Sequence, residues 1–349
     1  MGLFYEKLVK PILFTQEPEV AHEVVCTILR WLSNAPLFCS LLAHYNQFSD
    51  HQDVEVFGLK FPNIVGLAAG MDKNAQFWPV MGALGFGFVE VGTVTYHRQE
   101  GNLRPRVFRY PEQKALVNRL GFNNEGAEII AKRLEANSHQ KRITPLGINI
   151  GKSKITPLKN ATKDYLASFH LLADYADYFA INVSSPNTPG LRTLQEPDML
   201  SVLLSTLREA NLSRAKTRNI PPIPMLIKIA PDLSFSQIDS ILEIVCEFKI
   251  DGIIAANTSI ERPEIMTGIN EAGGLSGEPI HKRSLEVISY IHRSTEGNLP
   301  IVGVGGITDI RTAEETITAG ASLIQLYTGM IYKGPFLAKT IAKSLSSFP

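Results

Sequence analysis

The chain has 349 residues with 34 Lys plus Arg against 34 Asp plus Glu, so no net field favours nucleic acid or a strongly anionic partner. Its three cysteines, Cys26, Cys39 and Cys246, are odd in number, far apart and outside any metal-ligand spacing, which argues against a disulfide framework and for a reducing compartment. The N-terminus shows neither a secretory nor a mitochondrial leader pattern, and the longest charge-free run, 31–49, is too polar to span a bilayer.

Residues 1–48 read as a small helical unit. Leu3, Phe4, Leu8, Ile12 and Leu13, then Val20, Val24, Val25, Ile28, Leu29, Trp31 and Leu32, then Leu37, Phe38, Leu41 and Leu42 recur at helical spacing and predict large apolar faces. Residues 49–349 read as one larger unit. Short apolar runs at 64–70, 88–95, 146–151, 178–185, 225–231, 252–259, 301–307 and 323–329 end in polar or glycine-rich residues, and helical patterns such as 164–175 and 235–248 separate several of them. The runs lack apolar/polar alternation, as strands buried on both faces do. Eight such strands predict an α/β fold, a (β/α)8 TIM barrel, with an open doubly wound sheet as the alternative. Residues 97–126 interrupt the alternation and predict a hairpin and loop inserted over the barrel mouth.

A barrel carries its chemistry at the C-terminal ends of its strands, and the polar residues of this chain sit there. The first strand ends in Ala69, Gly70, Met71, Asp72 and Lys73, the second in Thr93, and the third carries Asn149. The fourth runs through Asn182 into Ser185, Asn187 and Thr188, where Pro186 and Pro189 fix torsions within an array of neutral hydrogen-bonding groups; an ordinary Asn/Pro turn shares that composition. The Gly303 to Gly306 and Tyr327 to Gly329 clusters follow the last two strands, where barrel enzymes cradle phosphate on backbone amides, and Gly273 to Gly277 precedes them. Together they predict a phosphate-bearing ligand. Lys228 lies within an apolar strand and needs an anion or a reacting group, either as a Schiff-base nucleophile or as a cation beside a cofactor ring. The amides Asn118, Asn149, Asn182, Asn187 and Asn257, with Thr258, suit the alternating N–H and C=O edge of a neutral heterocycle such as a pyrimidine dione. Only the first strand end supplies a carboxylate, Asp72, which weighs against aldolase chemistry.

These motifs resemble, in order and over essentially the whole chain, those of the class 2, quinone-dependent dihydroorotate dehydrogenases. The blocks are Ala68-Ala-Gly-Met-Asp-Lys73, Gly92-Thr93, Asn118-Arg-Leu-Gly-Phe122, Gly147-Ile-Asn-Ile-Gly151, Asn182-Val-Ser-Ser-Pro-Asn-Thr-Pro-Gly-Leu-Arg192, Ile227-Lys-Ile-Ala-Pro231, Ala256-Asn-Thr258, Gly273-Gly-Leu-Ser-Gly277, Gly303-Val-Gly-Gly306 and Tyr327-Thr-Gly329. The resemblance implies oxidation of (S)-dihydroorotate to orotate in de novo pyrimidine biosynthesis, with one FMN per chain as hydride acceptor and a membrane quinone as final acceptor. It implies FMN contacts from Ala69, Gly70, Met71, Asp72, Lys73, Thr93, Asn149, Asn182, Lys228 and the backbone of Ala256, with the phosphate at Gly277, Gly306, Tyr327 and Thr328. It places substrate at Lys73, Asn118, Arg119, Leu120, Gly121, Phe122, Asn182, Asn187, Asn257 and Thr258. No metal is implied.

Ser185 matches the family's catalytic base, with Thr188 as a candidate proton relay; class 1 enzymes use a cysteine, and positions 184–187 contain none. A serine hydroxyl removes a proton from substrate carbon 5 only if its own proton is passed on while hydride leaves carbon 6. The helical unit matches the part that lines the quinone tunnel and lies on the membrane, with His22 and Arg109 as polar contacts. Residues 1–48 hold three basic and four acidic residues, so attachment is expected through apolar burial more than through anionic lipid. The implied setting is a monomer without obligatory protein partner, peripheral on the cytoplasmic side of a bacterial inner membrane. Ala256 stands where many relatives have Thr, which leaves only its backbone to serve. The rivals are a Schiff-base aldolase or phosphate-sugar isomerase using Lys228, and a binding protein that holds a flavin without turnover.

Overall fold

The computed structural model describes residues 2–46, 53–138 and 142–346. Eight parallel strands close into a barrel: β1 (Val65–Leu67), β2 (Phe88–Val94), β3 (Leu146–Ile150), β4 (Tyr178–Asn182), β5 (Met225–Lys228), β6 (Gly252–Ala255), β7 (Ile301–Val304) and β8 (Leu323–Leu326). Each neighbour in sequence is a neighbour in the barrel, and β8 pairs with β1 to close the ring. All eight expected runs are barrel strands, so the doubly wound alternative falls. The strands stop earlier than the apolar runs suggested: β4 ends at Asn182, and residues 183–190 leave the ladder, with Ser185 and Asn187 lining the mouth.

Every barrel strand residue is buried, which is why no alternation marks the sequence. Helices such as Ala161–Leu172, Pro197–Arg218 and Phe235–Glu247 cover the outside, and the last begins in a capping box between Ser234 and Gln237. The barrel's lower end is stoppered by a short antiparallel hairpin, Val54–Val56 with Leu59–Phe61. Phe61 is fully buried there, edge-on to Phe88 at 5.3 Å within a cluster that includes Tyr178, Leu226 and Ile254.

Within 97–126, Val107–Tyr110 pairs antiparallel with Ala115–Asn118 as a hairpin. A third strand, Gly274–Gly277, adds antiparallel to Ala115–Asn118, so the glycine cluster that counted toward a phosphate-bearing ligand is a strand over the mouth. Glycine is required at its start because a Cβ on Gly273 would lie 2.4 Å from the Asn118 carbonyl oxygen, at φ +132°.

The N-terminal unit comprises a helical stretch over 2–14, π-wound at Tyr5–Val9, then α1 (Pro18–Ser33) and α2 (Pro36–Asn46). Glu17 accepts from the amide of Val20 and caps α1. Buried Glu19 takes a bidentate ion pair from Arg106, with bonds of 2.7 to 3.1 Å, which ties α1 to the inserted hairpin. The expected unit boundary at 48/49 lies outside the described residues. No single helix among the described residues is long and apolar enough to cross a membrane.

Candidate functional site

The strand ends surround a cleft at the barrel mouth, roofed by the inserted sheet. Of the expected residues, Ala69, Gly70, Lys73, Thr93, Asn118, Leu120, Gly121, Phe122, Asn182, Ser185, Asn187, Lys228, Ala256, Asn257, Thr258, Gly277, Gly306, Tyr327 and Thr328 line it. Met71, Asp72, Asn149, Thr188 and Arg119 do not. The Asp72 carboxylate accepts from the amides of Gln76 and Phe77, 2.8 Å each, and so pins the turn after β1. Arg119 turns away to pair with Glu271 and the carbonyl of Ala272.

Three of the amides, Asn149, Asn182 and Asn257, are linked by hydrogen bonds through Thr93 and Asn182. Thr93 donates to Asn149 Oδ1 at 2.6 Å, Asn182 donates to Thr93 at 2.9 Å, and Asn257 donates to Ser184 Oγ at 2.9 Å and Asn182 Oδ1 at 3.3 Å. Asn187 reaches the Asn118 carbonyl at 3.1 Å and joins the β4 loop to the inserted sheet. Arg192 locks the same loop from behind, donating to the carbonyls of Ser184 and Thr258 and pairing with Asp232 at 2.7 Å. This fixed lattice orients a planar ligand edge without having to rearrange. Ser185 is buried and accepts from the Asn187 amide at 3.3 Å. Thr188 is buried, and its hydroxyl oxygen has no partner among the described residues.

The residue the sequence reading missed is Glu90. It sits mid-strand in β2, fully buried, and its two oxygens accept from Asn149 (2.9 Å), Lys228 (3.3 Å), Tyr178 (3.2 Å) and Gln325 (2.8 Å). The anion that Lys228 requires is therefore supplied from within the barrel. Burial, reinforced by the Glu90 charge, holds the Tyr178 phenol well above its ordinary pKa, so it stays a neutral donor. A carboxylate inside an otherwise apolar strand was the available signal.

Among the described residues the cleft wall holds two lysines, Lys73 and Lys228, and no carboxylate. Gly306 and Gly277 adopt φ +73° and +99°, and a Cβ would strike His281 at 2.5 Å or the Lys114 carbonyl at 2.3 Å, so both turns need glycine. Among the described residues no cluster of three or more His, Cys, Asp or Glu could hold a metal.

A second cavity, about 660 Å³ and mostly apolar, lies between the N-terminal helices and the barrel. Phe4, Leu13, Val25, Ile28 and Leu29 line it, and its polar groups include His22 and Arg109. Arg109 lies 4.0 Å over the Phe14 ring and donates to the carbonyls of Phe14 and Gln16. Lys73, Asn118, Leu120 and Tyr327 line both cavities, so they form the partition between them. At that partition Lys73 Nζ lies 3.0 Å from His22 Nε2. Burial, with the neighbouring Lys73 charge, keeps His22 neutral well below its usual titration range.

The dihydroorotate dehydrogenase family model matches residues 52–348. The chain belongs to that family. It is 49% identical over 353 residues to the dihydroorotate dehydrogenase (quinone) of Chloroflexus aurantiacus strain J-10-fl, covering 99% of this chain and 96% of that one. It is 47% identical to the protein of the same description from Thermosynechococcus vestitus, covering 98% and 96%. Among solved structures it is similar to DHODH from Eimeria tenella in complex with ferulenol, with a TM-score of 0.84 at 36% identity, covering 99% of this chain and 93% of that chain.

Proposed function

We propose that this chain oxidises (S)-dihydroorotate to orotate in pyrimidine biosynthesis, with FMN in the barrel mouth and a membrane quinone as final electron acceptor. The observation that carries the reading is the partition of Lys73, Asn118, Leu120 and Tyr327, with an amide-lined cleft on one side and an apolar cavity on the other. The residues present fit FMN. Buried Lys228 and the neutral amides suit a flavin ring, Gln325 lines the cleft with a buried Oε1 that has no partner among the described residues, and the positive-φ glycines 277 and 306 leave room for a phosphate. When bound, FMN supplies a two-electron acceptor that can be reoxidised by quinone.

The chain's own residues do the rest. Lys73 receives the substrate carboxylate, and Asn118, Asn187, Asn257 and Thr258 read the pyrimidine edge. Ser185 takes the proton from carbon 5 and passes its own toward Thr188, whose buried hydroxyl has capacity for a water. The amides hold the developing negative charge on the substrate. His22 and Arg109 meet the quinone head in the apolar cavity.

The purified protein is expected to be yellow and to bleach anaerobically on adding dihydroorotate. Colourless protein, or yellow protein that stays yellow, would refute the reading and leave the aldolase or a non-catalytic flavin carrier.

The outer face of the N-terminal unit supports peripheral membrane attachment. Trp31, Leu37 and Leu41 are 75%, 82% and 72% exposed, and Leu3 and Ile12 extend the same apolar surface. The second expected result is extraction by mild detergent and not by 1 M-scale salt, because apolar burial is insensitive to screening. Release by salt alone would replace this attachment with a charge-based one.

A further inference from the structure

We propose that Lys73 and His22 act as a switch coupling the two cavities: an acid bound in the amide-lined cleft draws the Lys73 ammonium off His22 and thereby strengthens quinone binding in the apolar cavity. The inference rests on the reading that Lys73 receives the carboxylate of dihydroorotate or orotate.

Lys73 borders both cavities, and its ammonium bonds His22 Nε2 at 3.0 Å. An ammonium only donates, so Nε2 is the acceptor for Lys73 and the ring proton sits on Nδ1; the Cys26 Sγ lies alongside the ring, 3.5 Å from Nε2 and 3.7 Å from Nδ1. In this arrangement His22 offers no N–H from Nε2 to a quinone carbonyl. The ammonium has no carboxylate partner within ion-pair distance among the described residues. Nearby Glu19 is taken by Arg106, and nearby Asp72 by the amides of Gln76 and Phe77. Those amide bonds also hold the backbone beside Lys73 still, which leaves the side chain as the moving part.

A bound carboxylate changes both terms in the same direction. It gives the ammonium a charge partner on the cleft side, which removes an uncompensated cation from the inner end of an apolar cavity. It also frees Nε2, which can then carry the ring proton and donate to a quinone carbonyl. By linkage, quinone must strengthen acid binding by the same factor.

The test uses the full-length, FMN-loaded, oxidised protein in detergent micelles, with orotate as the acid and ubiquinone carrying one isoprene unit as the probe. This combination does not turn over, so both affinities can be read by calorimetry. The ubiquinone Kd is expected to fall about five- to tenfold at saturating orotate, and the orotate Kd to fall equally at saturating ubiquinone. In His22→Leu the coupling factor should drop to within about twofold of unity, while orotate alone binds as tightly as before or more tightly, since Lys73 no longer has to leave His22. His22→Gln, which retains an acceptor for Lys73, should restore part of the coupling. A factor of one or below in the unmodified protein, or full coupling in His22→Leu, overturns the switch. Absence of orotate binding to the unmodified protein overturns the functional reading itself, and the switch with it.

Discussion

Ser185→Ala is expected to slow anaerobic flavin bleaching by dihydroorotate about 10²–10⁴-fold, the range for removing a positioned proton acceptor. The variant should keep its yellow colour and its affinity for orotate. The reason is local: Ser185 is buried in the β4 loop, and the one bond its oxygen receives, from the Asn187 amide, can be replaced by a small rearrangement of a loop that Arg192, Asn187 and Asn257 already fix. Stopped-flow absorbance separates bleaching from product release. A normal bleaching rate in the variant would take the proton-accepting role away from Ser185.

Glu90→Ala should be the most destabilising single change in the barrel. It strips Lys228 of its anion and leaves donors on Asn149, Tyr178 and Gln325 facing a cavity, all in a fully buried place. Breaking a buried ion pair from one side costs about 3–5 kcal/mol, because the surviving charge is left uncompensated. The thermal midpoint should fall and flavin should be lost on purification. The companion variant decides the cause: Glu90→Leu with Lys228→Met removes both charges and should be more stable than Glu90→Ala. If the double variant is the less stable of the two, the cost lies in packing and not in the stranded charge.

The barrel was legible because its strands are buried on both faces, which writes them as uninterrupted apolar runs with polar residues at one end. Most of the cleft was legible for the same reason, since residues at strand ends such as Asn182, Lys228 and Asn257 are brought together by closure of the ring alone. Glu90 was not, because its four partners lie on β3, β4, β5 and β8, and nothing local in 88–95 announces them. The strand Gly274–Gly277 was missed because its glycines serve backbone-to-backbone approach against Ala115–Asn118, a need that reads as part of a phosphate cradle. Motif position alone placed Asp72 and Arg119 with the ligands, whereas the direction of each side chain depends on the amides of Gln76 and Phe77 and on Glu271. His22 and Lys73 stood 51 residues apart as members of two separate sites, and only the packing of α1 on the barrel puts their nitrogens in contact.

The stopper at the lower end of the barrel has a bearing on traffic. With Phe61 wedged beneath Phe88, the barrel is blind-ended, and a water-soluble acid and an oil-soluble oxidant must both arrive at the same rim. The fold gives them separate approaches by the chemistry of the walls: hydrogen-bonding groups on one side of a four-residue partition, hydrocarbon on the other. Sorting two reactants of opposite solubility thus takes no second opening, only two differently surfaced corridors that end at the same lysine.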